Sequence, residues 1–219
     1  MIKRFDKIEG KCIDRIDGQN RYGYSKSDFV DIYDLIEFSQ HDGYQGNELV
    51  FYDFETGTVY KPFDKKRNVA YGNPMYLNEF LYFLKADYDN QKVIMYRYLP
   101  EIVLEEVVQL EILEIDLYNL AIVSDPLYII SQGSDNGFHC YYPMKIAFPL
   151  DERESVVLIE NDKVYVEKWI EEGWDDKNNC RTDDYKYYTE TIVKDFEGKI
   201  IEKRIGCLNK SSTGDWWLS

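Results

Sequence analysis

Apolar, aromatic-rich runs alternate with short polar turns along most of this chain. The clearest example is segment 49–63, LVFYDFETGTVYKPF, in which two β-rich runs flank a Thr-Gly turn. Turns of this kind recur five times, at Glu9-Gly10, Thr56-Gly57, Pro100-Glu101, Met144-Lys145 and Glu197-Gly198. Successive turns are separated by 44 to 53 residues, a spacing typical of four-stranded propeller blades.

Each repeat contains further apolar runs ahead of its turn, so the pattern predicts four strands in each unit, which we call A to D. In residues 80–107, FLYFLKA precedes the polar turn DYDNQ, VIMYRY follows, and IVLEEVV comes after Pro100-Glu101. The same order recurs in residues 126–150. We therefore predict a single all-β domain over residues 1–219, built from repeated four-stranded antiparallel meanders and propeller-like with four or five blades. A two-sheet β-sandwich is the alternative.

Four segments fit this scheme less well. Residues 24–40, which contain DFVDIYDLIEF, are expected to supply strands A and B of a unit. Residues 101–116 have apolar positions at both helical and alternating spacing, and their β-branched residues favour a strand. The N-terminal run 3–16, KRFDKIEGKCIDRI, would supply only strands C and D of a unit. The C-terminal segment 215–219, DWWLS, is the only candidate to complete that partial unit, and we expect Trp217 to anchor it structurally. A regular five-bladed ring is therefore poorly closed.

The aromatic content adds to the β prediction. The chain has 20 Tyr, 11 Phe and 4 Trp among 219 residues, and 44% of its residues are hydrophobic, as in globular proteins. Tyrosine suits a half-buried pleated surface because its ring packs while its hydroxyl reaches water. A second interpretation of the aromatic residues is a set of stacking platforms for sugars or peptides.

The formal net charge of −15 narrows the expected partners. Such a chain repels nucleic-acid phosphates and anionic membranes, so we expect it to bind neither, whereas a basic protein would be attracted.

The start, MIKRFD, lacks the apolar stretch of a signal peptide, which favours a cytoplasmic protein. The four cysteines are scattered without zinc-type or redox-type spacing, so we expect reduced thiols and no metal site.

The predicted connections between strands B and C are rich in acidic residues. In a propeller these connections share one face, which would gather Asp87, Asp89, Asp135, Asp175 and Asp176 around one rim as candidate ligand-binding residues. Carboxylate oxygens suit calcium or a cationic partner. However, the turn DYDNQK lacks the glycine and the distal glutamate of a calcium loop, and tight turns require Asp and Asn in any case. We expect no cofactor, with calcium as the alternative.

The chain has two histidines, and one of them has a neighbouring acid. His41 lies beside Asp42 in the loop SQHDGYQG, where the two can act as a general base with its orienting carboxylate or simply form an exposed turn. No phosphate-binding glycine loop, nucleophile elbow or metalloprotease motif is present in the sequence. We therefore assign no catalytic residues and keep His41 and Asp42 as candidate ligand-binding residues.

The longest repeat contains a polar insertion, Gly173 to Asp184. Trp174 lies at the start of this insertion, next to the acidic pair Glu171 and Glu172. Binding residues concentrate on such loops, so Trp174 is the strongest ligand-binding candidate.

Together these features favour a non-catalytic intracellular binding or interaction protein. It would present an acidic, aromatic-rich loop face to a protein or a small polar ligand. One alternative is a carbohydrate-binding or carbohydrate-hydrolysing protein, suggested by Trp174 and the acidic turns. A second alternative is an acidic antagonist, of the immunity type, of a basic protein.

Overall fold

The computed structural model describes residues 2–123, 126–133 and 135–219. These residues are nearly all β and form four small antiparallel sheets in a ring, which is a four-bladed β-propeller. Each blade is one continuous stretch of chain, and each strand pairs with its neighbours along that stretch, apart from one extra inner strand in blade 2. The predicted fold class is confirmed, with four blades.

Blade 1 carries a long connection between its second and third strands. Its elements are β1 (Asp14–Arg15), β2 (Tyr22–Lys26), α1 (Asp34–Ser39), β3 (Leu49–Asp53) and β4 (Val59–Tyr60). Ile32 and Leu35 are buried one helical turn apart. The prediction that residues 24–40 supply two strands is therefore wrong, because DFVDIYDLIEF forms turns and the helix α1.

No helix in the described ranges is long and apolar enough to cross a bilayer.

Blade 2 contains most of segment 101–116, whose apolar spacing fits both a helix and a strand. Its strands are β5 (Val69–Tyr71), β6 (Met75–Leu77), β7 (Phe80–Asp87), β8 (Lys92–Leu99) and β9 (Val103–Glu111). The strand β9 pairs with β8 along its whole length, from Val103 opposite Leu99 to Glu111 opposite Lys92. One 3-10 turn, Ile112–Glu114, follows it. The preference for a strand in this segment is confirmed.

Blades 3 and 4 are regular meanders of very different size. Blade 3 consists of β10 (Ala121–Val123), β11 (Tyr128–Gln132), β12 (Gly137–Tyr142) and β13 (Ile146–Pro149). Blade 4 consists of β14 (Glu154–Glu160), β15 (Lys163–Asp175), β16 (Cys180–Lys194) and β17 (Ile200–Ile205). The two central strands of blade 4 have 13 and 15 residues, far more than the strands on either side of them. The insertion noted in the sequence lies at the joined end of these two strands.

The core lies between adjacent blades. Blades 1 and 2 share a cluster that contains Phe51 and Phe83, and both side chains are fully buried. Leu84 of blade 2 and Ile129 of blade 3 belong to a second cluster, and a third joins blade 3 to Val164 of blade 4. The three seams between blades 1 and 2, 2 and 3, and 3 and 4 are thus filled by apolar side chains, which is how the alternating pattern of the strands holds these blades together.

The chain ends in a separate two-stranded hairpin, β18 (Leu208–Lys210) with β19 (Trp216–Leu218). It therefore does not complete a partial N-terminal blade. Lys210 lies against the loop of blade 1, with its Cε 3.4 Å from the position of a Cβ on Gly18. Trp217 is 65% exposed, so the expectation that it anchors the chain end is wrong.

Four of the five predicted turns join the third and fourth strands of a blade. The exception is Glu9-Gly10, where no strands flank the turn. Instead, the N-terminal segment follows the outer edge of blade 1: the Asp6 amide donates to the Gly57 carbonyl at 2.8 Å, and the Asp6 carboxylate accepts from the Val59 amide.

Candidate functional site

A central cavity of about 890 Å³ is lined by residues of all four blades and of the terminal hairpin. Among the described residues, its charged lining consists of three cations and three carboxylates, namely Arg15, Lys26, Lys210, Asp17, Asp31 and Asp34. The described lining is therefore balanced in charge and does not favour a ligand of either sign. None of the eight candidate residues from the sequence is among the described residues that line this cavity.

The acidic turn of blade 2 is held by internal bonds. Asp87 is 4% exposed and accepts from Lys66 Nζ at 2.7 Å and from the side chain of Asn90 at 2.9 Å. Burial alone would raise the pKa of Asp87, but these bonds outweigh it and lower the pKa below its usual value. Asp89 accepts from Asn68 Nδ2 at 2.7 Å. The geometry gives both residues a part in shaping the turn.

The acidic turn of blade 3 is arranged in the same way. Asp135 accepts from the Gly137 amide at 2.8 Å and lies 3.5 Å from His139 Nε2. The bond from Gly137 lowers the pKa of Asp135, and the nearby His139 lowers it further. Asp135 therefore closes its own tight turn.

His41 and Asp42 follow the end of α1. His41 Nδ1 lies 2.9 Å from the Glu37 carbonyl, one helical turn back, and the Asp42 carbonyl accepts from the Arg67 guanidinium. The imidazole thus contacts the end of α1, and the bond from Arg67 ties Asp42 to the segment that precedes β5.

The long hairpin of blade 4 extends beyond its neighbouring strands. The strand β14 pairs with β15 no further than Lys168, and β17 pairs with β16 only from Glu190 onward. Residues 169–189, the hairpin ribbon, therefore continue as two strands, and no third strand of the described structure pairs with them. This ribbon contains the predicted candidates Trp174, Asp175 and Asp176.

Four aromatic side chains follow one another along one face of the hairpin ribbon. The ring centroids of Trp169 and Tyr187 are 6.3 Å apart, those of Tyr187 and Tyr185 6.4 Å, and those of Tyr185 and Trp174 6.1 Å. We call these four residues the aromatic ladder. Trp169, Trp174 and Tyr187 are 41%, 39% and 64% exposed, so the ladder is a surface feature.

Strand register explains why these rings share a face. Trp169 lies opposite Thr189 and Glu171 opposite Tyr187, and alternate residues of paired strands point to the same side. A register shift follows at Gly173, whose φ is +75° and whose missing Cβ would lie 2.8 Å from the Asp184 backbone. Only glycine fits this bulge, and beyond it Trp174 comes to lie beside Tyr185.

Charged groups hold the ladder in place. Arg153 lies over the Trp169 ring at 4.9 Å, and Arg181 lies over the Tyr185 ring at 4.5 Å. The Tyr185 hydroxyl donates to Glu171 at 2.7 Å, and this bond raises the pKa of Tyr185. The rings of the ladder thus lie against one another, and two of them also lie against guanidinium groups.

The opposite face of the ribbon is polar. Glu172 accepts from the Tyr188 hydroxyl at 2.8 Å and pairs with Lys186 at 2.8 Å. These contacts, that with Lys186 foremost, lower the pKa of Glu172. The adjacent residues Tyr187 and Tyr188 therefore belong to different surfaces.

The tip of the ribbon is acidic. Asp175 accepts from the side chain of Asn178 at 2.8 Å and from the Lys177 amide at 2.9 Å, and these bonds lower its pKa. The ribbon as a whole contains six acidic and three basic residues. The sequence nominated Trp174 and this tip but missed Trp169, Tyr185 and Tyr187. The pattern that could have revealed them is the alternation Tyr185-Lys186-Tyr187, which lies opposite the residues just after Trp169 when the two strands pair as a hairpin.

Within the described ranges no group of three or more His, Cys, Asp or Glu residues could hold a metal ion. Comparison with protein-family models finds no match, and comparisons with curated proteins and with solved structures find no significant similarity.

Proposed function

We propose that this chain is a non-catalytic interaction protein that binds a partner protein through the aromatic ladder of its hairpin ribbon. The ladder is the observation that carries this proposal: Trp169, Tyr187, Tyr185 and Trp174 lie in contact along an exposed face. Trp, Tyr and Arg are the residues that dominate binding energy in protein interfaces, and here all three types meet on one surface.

Preorganisation supports the same proposal. Immobilising a flexible side chain on binding costs about 0.5–1.5 kcal/mol, and the guanidinium contacts of Arg153 and Arg181 already restrict the rings they cover. The acidic tip would form the rim of the interface. A partner with a basic surface around an apolar pocket fits this arrangement, because complementary rim charges steer association.

Carbohydrate binding is less well supported by the ladder. A sugar ring stacks on the open face of an aromatic ring, but guanidinium groups lie over Trp169 and Tyr185. The planes of Tyr185 and Tyr187 are also inclined at 50° to each other, so the ladder is not a flat platform. An acidic antagonist of a basic protein is compatible with the proposal, since it is one kind of protein partner.

Site-specific photocrosslinking tests the proposal. A photoreactive benzoyl-phenylalanine at position 187 should crosslink a discrete partner in a lysate of the source cells. The same group at Phe29, which is 97% exposed and far along the chain from the ribbon, is the control for non-specific capture. The captured protein is then purified, and its affinity is measured for the native chain and two matched variants.

Tyr187→Ala and Tyr188→Ala are the matched pair, because they remove the same side chain from opposite faces of one ribbon. We expect Tyr187→Ala to weaken binding by about 2 kcal/mol or more, or roughly thirtyfold, and Tyr188→Ala to change it much less. Equal losses in the two variants, or capture at Phe29 as strong as at position 187, would contradict the proposal.

A further inference from the structure

The outer strand of blade 4 has a free edge. In β17, Ile200–Ile205, all six residues are exposed, and the only strand that pairs with it in the described ranges is β16. Ile201 and Ile205 are 52% and 72% exposed. A solvent-exposed edge that carries apolar side chains is a template for pairing with another strand.

The backbone of this edge is directed outward at alternate residues. The Gly206 amide donates to the Thr189 carbonyl at 2.8 Å, so the pair Gly206–Thr189 is hydrogen-bonded. Because hydrogen-bonded and non-bonded pairs alternate in antiparallel sheets, Arg204 and Glu202 direct their amides and carbonyls to β16. Lys203 and Ile205 therefore direct theirs away from the blade, where they are available to a second strand.

The sequence of β17 is complementary to itself. Within one copy, Arg204 Nε donates to Glu202 Oε1 at 2.6 Å. An antiparallel twofold pairing centred on Lys203 places Glu202 of one copy opposite Arg204 of the other, twice by symmetry, so the two pairs would join into one network of alternating charge. It also places Ile201 opposite Ile205 of the other copy. The two Lys203 side chains meet at the centre, but each is already paired with its own Glu190 at 3.1 Å. A pairing centred on Glu202 would instead oppose two carboxylates.

An apolar patch continues the edge past Ile205. Leu218 lies beside Gly206, with its Cγ 3.1 Å from the position of a Cβ on that glycine. Leu218 and its neighbour Trp217 are 40% and 65% exposed. A second copy paired along β17 would approach this patch and cover part of it.

We infer that the chain self-associates as a twofold dimer through β17, in the register centred on Lys203. This inference is independent of the aromatic ladder, because β17 pairs with residues 190–194 of β16, which lie outside the hairpin ribbon. The paired segment is short, so the interface is of the small, weak class and the dissociation constant is on the order of 10–100 µM.

Analytical ultracentrifugation of charge-reversed variants tests the dimer and its register. Glu202→Arg and Arg204→Glu each place like charges opposite one another in the dimer, so each alone should remain monomeric up to about 300 µM. An equimolar mixture of the two variants should dimerise again, because opposite charges are restored across the strands. The double variant Glu202→Arg/Arg204→Glu should dimerise like the native chain.

Two controls separate this result from misfolding and from the ribbon. Glu197→Arg reverses a charge in the adjacent turn and should leave self-association unchanged, as should Tyr187→Ala. Circular dichroism checks that each single variant keeps its fold. A native chain that stays monomeric at about 300 µM, or a mixture that fails to recover the dimer, would overturn the inference.

Discussion

Removing the amine of Lys194 should destabilise blade 4 strongly. Lys194 Nζ lies 2.6 Å from Glu154 Oε2, and the two side chains are 6% and 1% exposed. The pair joins the start of β14 to the end of β16, 40 residues apart in the chain. In Lys194→Met the carboxylate of Glu154 keeps the Asp151 amide, at 3.0 Å, but loses the cation with which it pairs. Leaving a buried charge unpaired in this way costs about 3–5 kcal/mol.

Thermal unfolding followed by circular dichroism measures this cost. For a domain of this size, a loss of about 3–5 kcal/mol lowers Tm by roughly 6–20 °C. The double variant Glu154→Gln/Lys194→Met removes both charges and should recover at least half of the loss, because no buried charge is then left unpaired. A cost for Lys194→Met below about 1 kcal/mol, or a double variant as unstable as the single one, would refute this reasoning.

Two further predictions concern other parts of the fold. Burial raises the pKa of Asp53, but the bonds from Arg21 and from the amides of Glu55 and Thr56 outweigh it and lower the pKa overall. The stabilisation is therefore complete above the unfolded pKa of about 3.9 and is lost as pH falls through the lower native value. Tm should exceed that of Asp53→Asn at pH 7 but approach it in acid, and a constant difference would contradict this. Phe83→Ala should lower the free energy of unfolding in urea by about 3–5 kcal/mol, because the fully buried ring of Phe83 packs against Phe51 and Tyr96. A loss below about 1 kcal/mol would contradict the close packing described between blades 1 and 2.

Most of the fold was predictable because its signals are local. The turn at Thr56-Gly57 has the residues that a tight connection requires, and Gly57 adopts a φ of +79°. The helix α1 was missed although Ile32, Leu35 and Ile36 have helical spacing, because this short run lies among β-rich segments. How the chain end meets blade 1 depends on contacts between residues about 200 positions apart, and no local pattern encodes such contacts.

The candidate site was predictable only in part. Trp174 could be nominated because it begins the long polar insertion. The rest of the ladder depends on strand register, since a slip of one residue would move Tyr187 to the other face and bring Tyr188 in its place. The bulge at Gly173 sets that register near the tip. The acidic turns are ambiguous in the sequence, because aspartates such as Asp87 and Asp135 occur both in ligand sites and in tight turns.

The affinity of the crosslinked partner for a ladder variant tests the central claim most directly. Isothermal titration calorimetry would compare the native chain with Trp169→Ala/Tyr187→Ala and with the acidic-turn variant Asp89→Asn/Asp135→Asn. We predict that the ladder variant binds at least about a hundredfold more weakly, while the acidic-turn variant stays within about threefold of the native chain. The opposite result, in which the acidic turns control affinity and the ladder does not, would contradict the account.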